Sequence, residues 1–320
     1  MYNRIFILTL VFSGICQFQS LSQCLSSVNP VGGTENLLVL QKKSLRIISF
    51  YKYAEGKQYF EKDHHSDFDL ISRSYYNYLS GIIGYGLTNR WTVETEFGYF
   101  INKSQVYNTK PVYHLKGSGL SSAVVSAKYN IYAEQFKRIY FSTAIGVRMP
   151  FSRIPQKVDN VELPVDVQPS IGAYGIVLNS SFVKENTGKG LRFFITNRVE
   201  TMFPNKQDFQ LGTSVFTSFF ISKHLMFGWM KGDWTAILQL RNETRTHDKI
   251  SGQFNESSGG TLFFVVPQVN YVIAENWYLS ALVDLPVYQY FNGVQMGAGI
   301  GVTFTLSRAF NLASSGDRDL

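Results

Sequence analysis

Three stretches of the chain share one layout: a tight polar turn, a tryptophan, then alternation. Residues 86–90 (GLTNR) lead into Trp91, Val93, Thr95, Phe97, Tyr99 and Ile101 on one side, with Thr92, Glu94, Glu96 and Gly98 on the other. Residues 231–233 (KGD) lead into Trp234, Ala236, Leu238 and Leu240, opposite Thr235, Gln239 and Arg241. Residues 274–276 (AEN) lead into Trp277, Leu279, Ala281, Val283 and Leu285, opposite Tyr278, Ser280 and Asp284. Ile237 and Leu282 interrupt the polar side. Side chains of a strand point alternately to its two faces, so each stretch predicts a strand with one apolar and one mainly polar face. A tryptophan at the first apolar position fits the aromatic girdle of a membrane barrel, where the ring straddles lipid and water. Trp91, Trp234 and Trp277 are therefore expected as interface aromatics. A soluble β-sandwich would share the alternation, but not the export signal and loop asymmetry described next.

The same reading predicts about twelve strands, a size within the range of bacterial barrels. They fall near 44–53, 71–85, 91–102, 120–132, 139–148, 169–182, 191–201, 211–221, 234–243, 261–273, 277–285 and 294–306. Longer connections (54–70, 103–119, 149–168, 244–260) mostly alternate with short ones (86–90, 133–138, 274–276). Outer-membrane barrels pair long extracellular loops with short periplasmic turns, so the short turns and all three tryptophans fall on the periplasmic side. Two segments fit less well: 222–233 is long for a turn, and 202–210 is short for a loop. Pro267, inside the tenth strand, has no N–H to donate and predicts a bulge or bend. The expected fold is all-β, an antiparallel up-and-down transmembrane β-barrel occupying 44–306.

Composition sharpens this picture. Charged residues are 17% and aromatics 15% of the chain, against about 25% charged in soluble domains. Mean hydropathy is −0.05, too polar for a bundle of membrane helices but natural for strands whose two faces cancel. At the start, Asn3 and Arg4 precede an apolar run from Ile5 to Cys16, and Ser20 and Ser22 precede Gln23. That predicts a cleaved signal peptide over 1–22 and export to the cell outer membrane. Ile15 and Gln23, just before Cys16 and Cys24, are bulkier than a lipoprotein site tolerates. Cleavage after Ser22 leaves Cys24 as the one cysteine, without an internal disulfide and expected to be inert. Residues 23–43 form a periplasmic lead-in, in which Pro30 to Thr34 (PVGGT) turns the chain into the barrel or across its base. Residues 307–320 form a polar tail. The net charge of +7 shows no basic stripe of the kind a nucleic-acid binder carries.

Alternation places eleven ionisable residues inside: Arg46, Lys52, Glu94, Glu96, Lys128, Arg148, Arg192, Arg198, Glu200, Arg241 and Asp284. A cation facing lipid at mid-depth costs roughly 2–4 kcal/mol, which favours this assignment. They could line a charged pore, or cross-link as a plug of salt bridges. Their basic excess predicts a modest anion preference for any pore. Gly297, Gly299 and Gly301 resemble the start of a dinucleotide loop, but strand rather than helix is expected to follow, so they are read as making room or allowing coiling. Asp63, His64, His65, Asp67 and Asp69 cluster in the first long loop. They could ligate a metal or act as a surface catalytic pair, but a solvated polar loop is the simpler reading. No enzyme activity, cofactor or metal is expected.

Several segments also carry a family resemblance: Gly117 to Tyr129 (GSGLSSAVVSAKY), Ala144 to Ser152 (AIGVRMPFS), Leu163 to Gly175 (LPVDVQPSIGAYG) and Leu282 to Thr305 (LVDLPVYQYFNGVQMGAGIGVTFT). Their strand, Pro-turn, long-loop and return-strand pattern resembles bacterial outer-membrane β-barrels assigned as transporters and named for the meta-cleavage pathways of phenol. The resemblance covers roughly 80–306 and rests on pattern. It implies an outer-membrane barrel with a transport role and supplies no catalytic residues. The expected function is passive movement of small or amphipathic solutes, with outer-membrane lipid and a small-molecule solute as partners. The alternative is a structural or partner-binding barrel, an anchor or accessory subunit of a secretion or surface-attachment system.

Overall fold

A computed structural model describes residues 38–225, 232–274 and 276–312. The expected signal peptide, both cysteines, the PVGGT segment and the tail from 313 lie outside the described residues. Twelve long strands make a closed antiparallel barrel: β1 Ser44–Gly56, β2 Ile71–Gly86, β3 Trp91–Tyr107, β4 Tyr113–Glu134, β5 Ile139–Pro150, β6 Gly175–Asn186, β7 Leu191–Met202, β8 Ser214–Leu225, β9 Asp233–Arg245, β10 Gly260–Ala274, β11 Trp277–Met296 and β12 Gly301–Asn311. Each pairs with the next. β12 returns to β1 from Ala54↔Gly301 to Ser44↔Asn311, so no barrel strand is left as an edge.

Burial follows the pleat and inverts the order of a soluble protein. On β8, Ser214, Phe216, Ser218, Phe220 and Ser222 are buried inside, while Phe219 and Ile221 face outward. Leu240 is 49% and Phe304 52% exposed, whereas Lys52 and Arg198 are each 4% exposed. Such an exterior suits a hydrocarbon solvent. The interior is not uniformly polar. Leu282, one of the two breaks in the sequence pattern, packs inside with Leu262, Phe264, Val266 and Phe291. Ile237, the other, packs with Val183, Phe194 and Phe220.

The barrel has a turn end and a loop end. Connections 87–90, 135–138 and 187–190 lie at the first, where β8 and β10 also end and β9 and β11 begin, and 57–70, 108–112, 151–174, 203–213, 246–259 and 297–300 at the second. All three tryptophans sit at the turn end against their directly paired neighbours. Trp91 meets Tyr129 at 4.6 Å and Trp234 meets Tyr271 at 4.5 Å. Arg308 lies 4.6 Å over Trp277, a cation–π contact. The described part of the lead-in crosses this mouth. Leu40 N donates to Thr92 Oγ1 at 2.8 Å, and Leu38 reaches the Val183, Phe194, Phe220 and Ile237 cluster.

Several strand limits differ from expectation. β3 and β4 extend outward, so the loop expected over 103–119 contracts to 108–112. β6 starts at Gly175 rather than 169, because Pro169 has no N–H to donate and Gly172 turns the chain with φ +74°. β11 continues to Met296, and 294–300 do not belong to β12. Of the three nearby glycines only Gly301 is in a strand. Gly297 N and Gly299 N donate to the carbonyls of Gln58 and Glu55, tying 297–300 to the first loop. The barrel ends at Asn311 rather than 306, since Ser307–Asn311 supply the partners that Ser44–Ile48 need. The 222–233 turn shortens because strands run to Leu225 and restart at Asp233. Pro267 stays in register with Leu238; the β10–β11 ladder shifts at Phe263/Phe264, where Phe264 faces Pro286, and again at Val272/Ala274.

Candidate functional site

Interior charges gather into two groups. In the first, Glu94 on β3 takes Lys128 on β4 at 2.6 Å. Glu96 on β3 receives both Arg198 terminal nitrogens from β7 at 2.9 Å each. Three strands lie between them, so this two-pronged pair spans the interior. Charge-assisted pairs of this kind are among the stronger polar contacts and fix orientation. Arg198 Nε also donates to Glu200 Oε1 at 2.5 Å, and Glu200 Oε2 accepts from Arg148 Nη2 at 2.5 Å. Arg148 Nη1 donates to Ser122 at 2.6 Å.

The second group joins β1, β9 and β11. Asp284 takes Lys52 at 3.0 Å and Arg241 at 2.9 Å. Arg241 also meets Glu243 at 2.7 Å and lies 4.5 Å over the Phe264 ring.

These pairings change the expected electrostatics. Arg46 and Arg192 share the inward parity but sit at the turn-end rim, where Arg192 is exposed and 3.4 Å from Glu185. The five remaining bases, Lys52, Lys128, Arg148, Arg198 and Arg241, face five acids once Glu243 joins Glu94, Glu96, Glu200 and Asp284. Five bases and five acids therefore balance within these two groups, so the basic excess of the sequence count does not lie in them.

Above the first group, loop 151–174 folds into the loop-end mouth. Leu163 and Val167 pack on Leu115 of β4. Gly117 admits the loop backbone: a Cβ there would lie 2.0 Å from the Val167 carbonyl oxygen. Gln168 clamps the loop to itself, accepting from Gln156 N at 2.8 Å and donating to the carbonyls of Gln156 (3.0 Å) and Leu163 (2.9 Å). Lys103 Nζ donates to the Gln168 carbonyl at 3.2 Å. Burial pushes the nearby Asp166 carboxyl up to about 7, against the pull of Lys103 and Arg245.

Beneath this roof lies a cavity of about 210 Å³. Tyr76, Tyr78 and Phe100 form one wall; Arg148, Glu200, Glu243, Arg245, Lys103 and Asp166 supply charged groups around it. A smaller chamber of about 60 Å³ lies beyond, bordered by Glu94, Glu96, Lys128, Arg198 and Ser142. The two share Phe216, and the Glu96–Arg198–Glu200–Arg148 chain stands between them. Ser142 also borders an open hollow of about 1000 Å³ at the turn end, walled by residues 38–43.

The loop histidines do not converge on a site. His64 is largely exposed and 3.4 Å from Asp63. His65 packs on Phe60 at 4.5 Å, and Asp69 accepts from Asn108 at 2.8 Å. No group of three or more His, Cys, Asp or Glu is placed to hold a metal ion among the described residues.

Sequence reading missed Glu243 and Arg245 although Gln239 and Arg241 point to them: the same parity runs on to the end of β9 at Arg245. Asp166 and Gln168 carried no such signal, because their positions depend on how a long loop folds back, and Lys103 lies on β3 beyond a register shift at Phe100/Lys103 that breaks the parity.

By sequence, no family model and no curated protein matches the chain. By structure, it is similar to the COG4313 outer membrane channel from Pseudomonas putida F1, with TM-score 0.64 and 12% identity, over 87% of this chain and 99% of that one. It also matches the β domain of the Bordetella autotransporter BrkA (TM-score 0.48, 8% identity, 84% of this chain, 100% of that one). A third match is the KdgM porin in complex with disordered oligogalacturonate (TM-score 0.41, 9% identity, 82% of this chain, 99% of that one). The first likeness establishes a fold shared with an outer membrane channel.

Proposed function

We propose that this chain is an exported outer-membrane channel for passive movement of small or amphipathic solutes, with its turn end in the periplasm and its loop end outside. The observation that carries the reading is the pair of hollows inside the barrel, separated by one chain of ion pairs, the inner one sharing Ser142 with an open hollow at the turn end. A barrel serving only as an anchor needs no such hollows. Loop 151–174 roofs the entrance, and the Glu96–Arg198–Glu200–Arg148 chain acts as the gate. The apolar exterior with its turn-end tryptophans supports embedding in lipid. The likeness to a solved outer membrane channel agrees with this, as does the resemblance to the phenol-pathway transporters. No step calls for a catalytic residue or a cofactor.

A second reading rests on the same ion pairs: a braced, filled interior would suit an anchor for a partner protein. Planar-bilayer recording of the refolded, signal-free protein separates the two. Stable conductance steps are expected. A demonstrably folded barrel that passes no current would overturn the channel reading.

A further inference from the structure

The roofed cavity at the loop end has a composition that narrows its occupant. We infer that it is a binding site for a neutral ring polyol the size of one hexose, held before it passes the gate; this rests on the channel reading. Size is the first argument. At about 30 Å³ per water in the liquid, a cavity of about 210 Å³ has room for one six-membered ring with its substituents. The wall of Tyr76, Tyr78 and Phe100 offers apolar surface to the C–H face of such a ring.

Charge is the second argument. The groups around the cavity are interleaved in sign. Glu200 faces Arg148 at 2.5 Å, Glu243 is held by Arg241 at 2.7 Å, and Lys103 is bonded to the Gln168 carbonyl at 3.2 Å. Three basic groups, Lys103, Arg148 and Arg245, and three carboxyls, Asp166, Glu200 and Glu243, line the cavity, so a ligand meets both signs rather than one. A hydroxyl both donates and accepts, so it can bond a carboxylate and a guanidinium in turn without leaving either bare. Ligand pockets of this kind combine an apolar wall with a few placed polar groups.

Position is the third argument. Glu200 bonds Arg148 toward the cavity and Arg198 toward the inner chamber. A hydroxyl that competes for Glu200 would loosen the Arg198–Glu96 bar behind it, so occupancy and opening are coupled through one carboxylate.

The test uses glucose as the probe, with proline as a zwitterion and benzoate as an aromatic anion at equal concentration. Saturation-transfer NMR on the folded, full-length mature protein in detergent reads binding without requiring conductance. Glucose is expected to show transfer, and Lys103→Ala to weaken it at least fivefold with the barrel still folded. In bilayers, glucose added on the loop side is expected to interrupt the current more than either comparator. No transfer to glucose, or stronger binding of proline or benzoate, would overturn the inference even if the channel conducts. Glucose binding by a barrel that passes no current would keep the site and remove the channel.

Discussion

Glu200 holds two arginines at once, and Arg198 holds two glutamates, so neither can be altered alone. Removing one member of a buried ion pair typically costs about 3–5 kcal/mol, because its partner is left buried and uncompensated. Arg198→Met is expected to destabilise the barrel by about that amount, read from its denaturant midpoint. It should also open the bar between the two inner hollows and leave Glu96 without its partner. Conductance should rise and the reversal potential in a salt gradient should shift toward cation selectivity; unchanged selectivity would argue that the bar is not in the path. Asp166 gives a second residue-level expectation. A carboxyl raised to about 7 in the folded chain favours its protonated form there. Its unfavourable effect on folding is absent below the ordinary carboxylate range, grows as pH rises, and is complete above about 7. Loop 151–174 should therefore be held more tightly at pH 5.5 than at pH 8. Limited proteolysis within the loop would show this, and Asp166→Asn should flatten the difference.

Loop 151–174 behaves as an element although it contains little regular structure. Its docking depends on one amide side chain and one missing side chain. Gln168→Ala removes three hydrogen bonds, each contributing about 0.5–1.5 kcal/mol net. Gly117→Val forces a Cβ toward the Val167 carbonyl. Both variants should displace the roof, giving larger conductance and faster loop cleavage while the barrel still resists denaturation. An unchanged cleavage rate in both would mean that the roof is held by other contacts. The contrast with the strands shows what the sequence carried. Strand and face assignments follow from a period of two that the strand segments display locally, and twelve strands were legible from it. Limits failed where a neighbour decided them: β12 runs to Asn311 because β1 needs a partner, and β6 starts late because Pro169 and Gly172 belong to the loop. Interior pairing was not legible at all. Parity places Glu96 and Arg198 inside, but only the closure of the barrel brings them together across 102 positions. Counting charges without that pairing hid the balance of bases and acids within the two mid-barrel groups.

At the scale of the whole molecule, the two mouths are narrowed by different means, a folded loop at one end and residues 38–43 at the other. Leu38 is the contact that ties the crossing lead-in to the interior apolar cluster, beside the Leu40 bond to Thr92. Leu38→Asp sets a charge against Val183, Phe194 and Phe220 and should release that crossing. Labelling of Ser142→Cys by a membrane-impermeant thiol reagent applied from the turn side should then quicken several-fold. An unaltered rate would show that the crossing does not guard the inner chamber.

The seam between β1 and β12 has a consequence for how this molecule comes into being. Ser44 pairs with Asn311, so the stitches that shut the ring join residues near opposite ends of the described chain. Bringing distant positions together carries a loop-closure entropy and slows folding in proportion to sequence separation. Hairpins such as β2–β3 can zip locally and early, but the last seam must wait until nearly every other strand has been laid down. Until then β1 and β12 are open templates for any other strand. The protein should thus be most vulnerable to aggregation at the final moment of its assembly, when eleven seams are made and one is not.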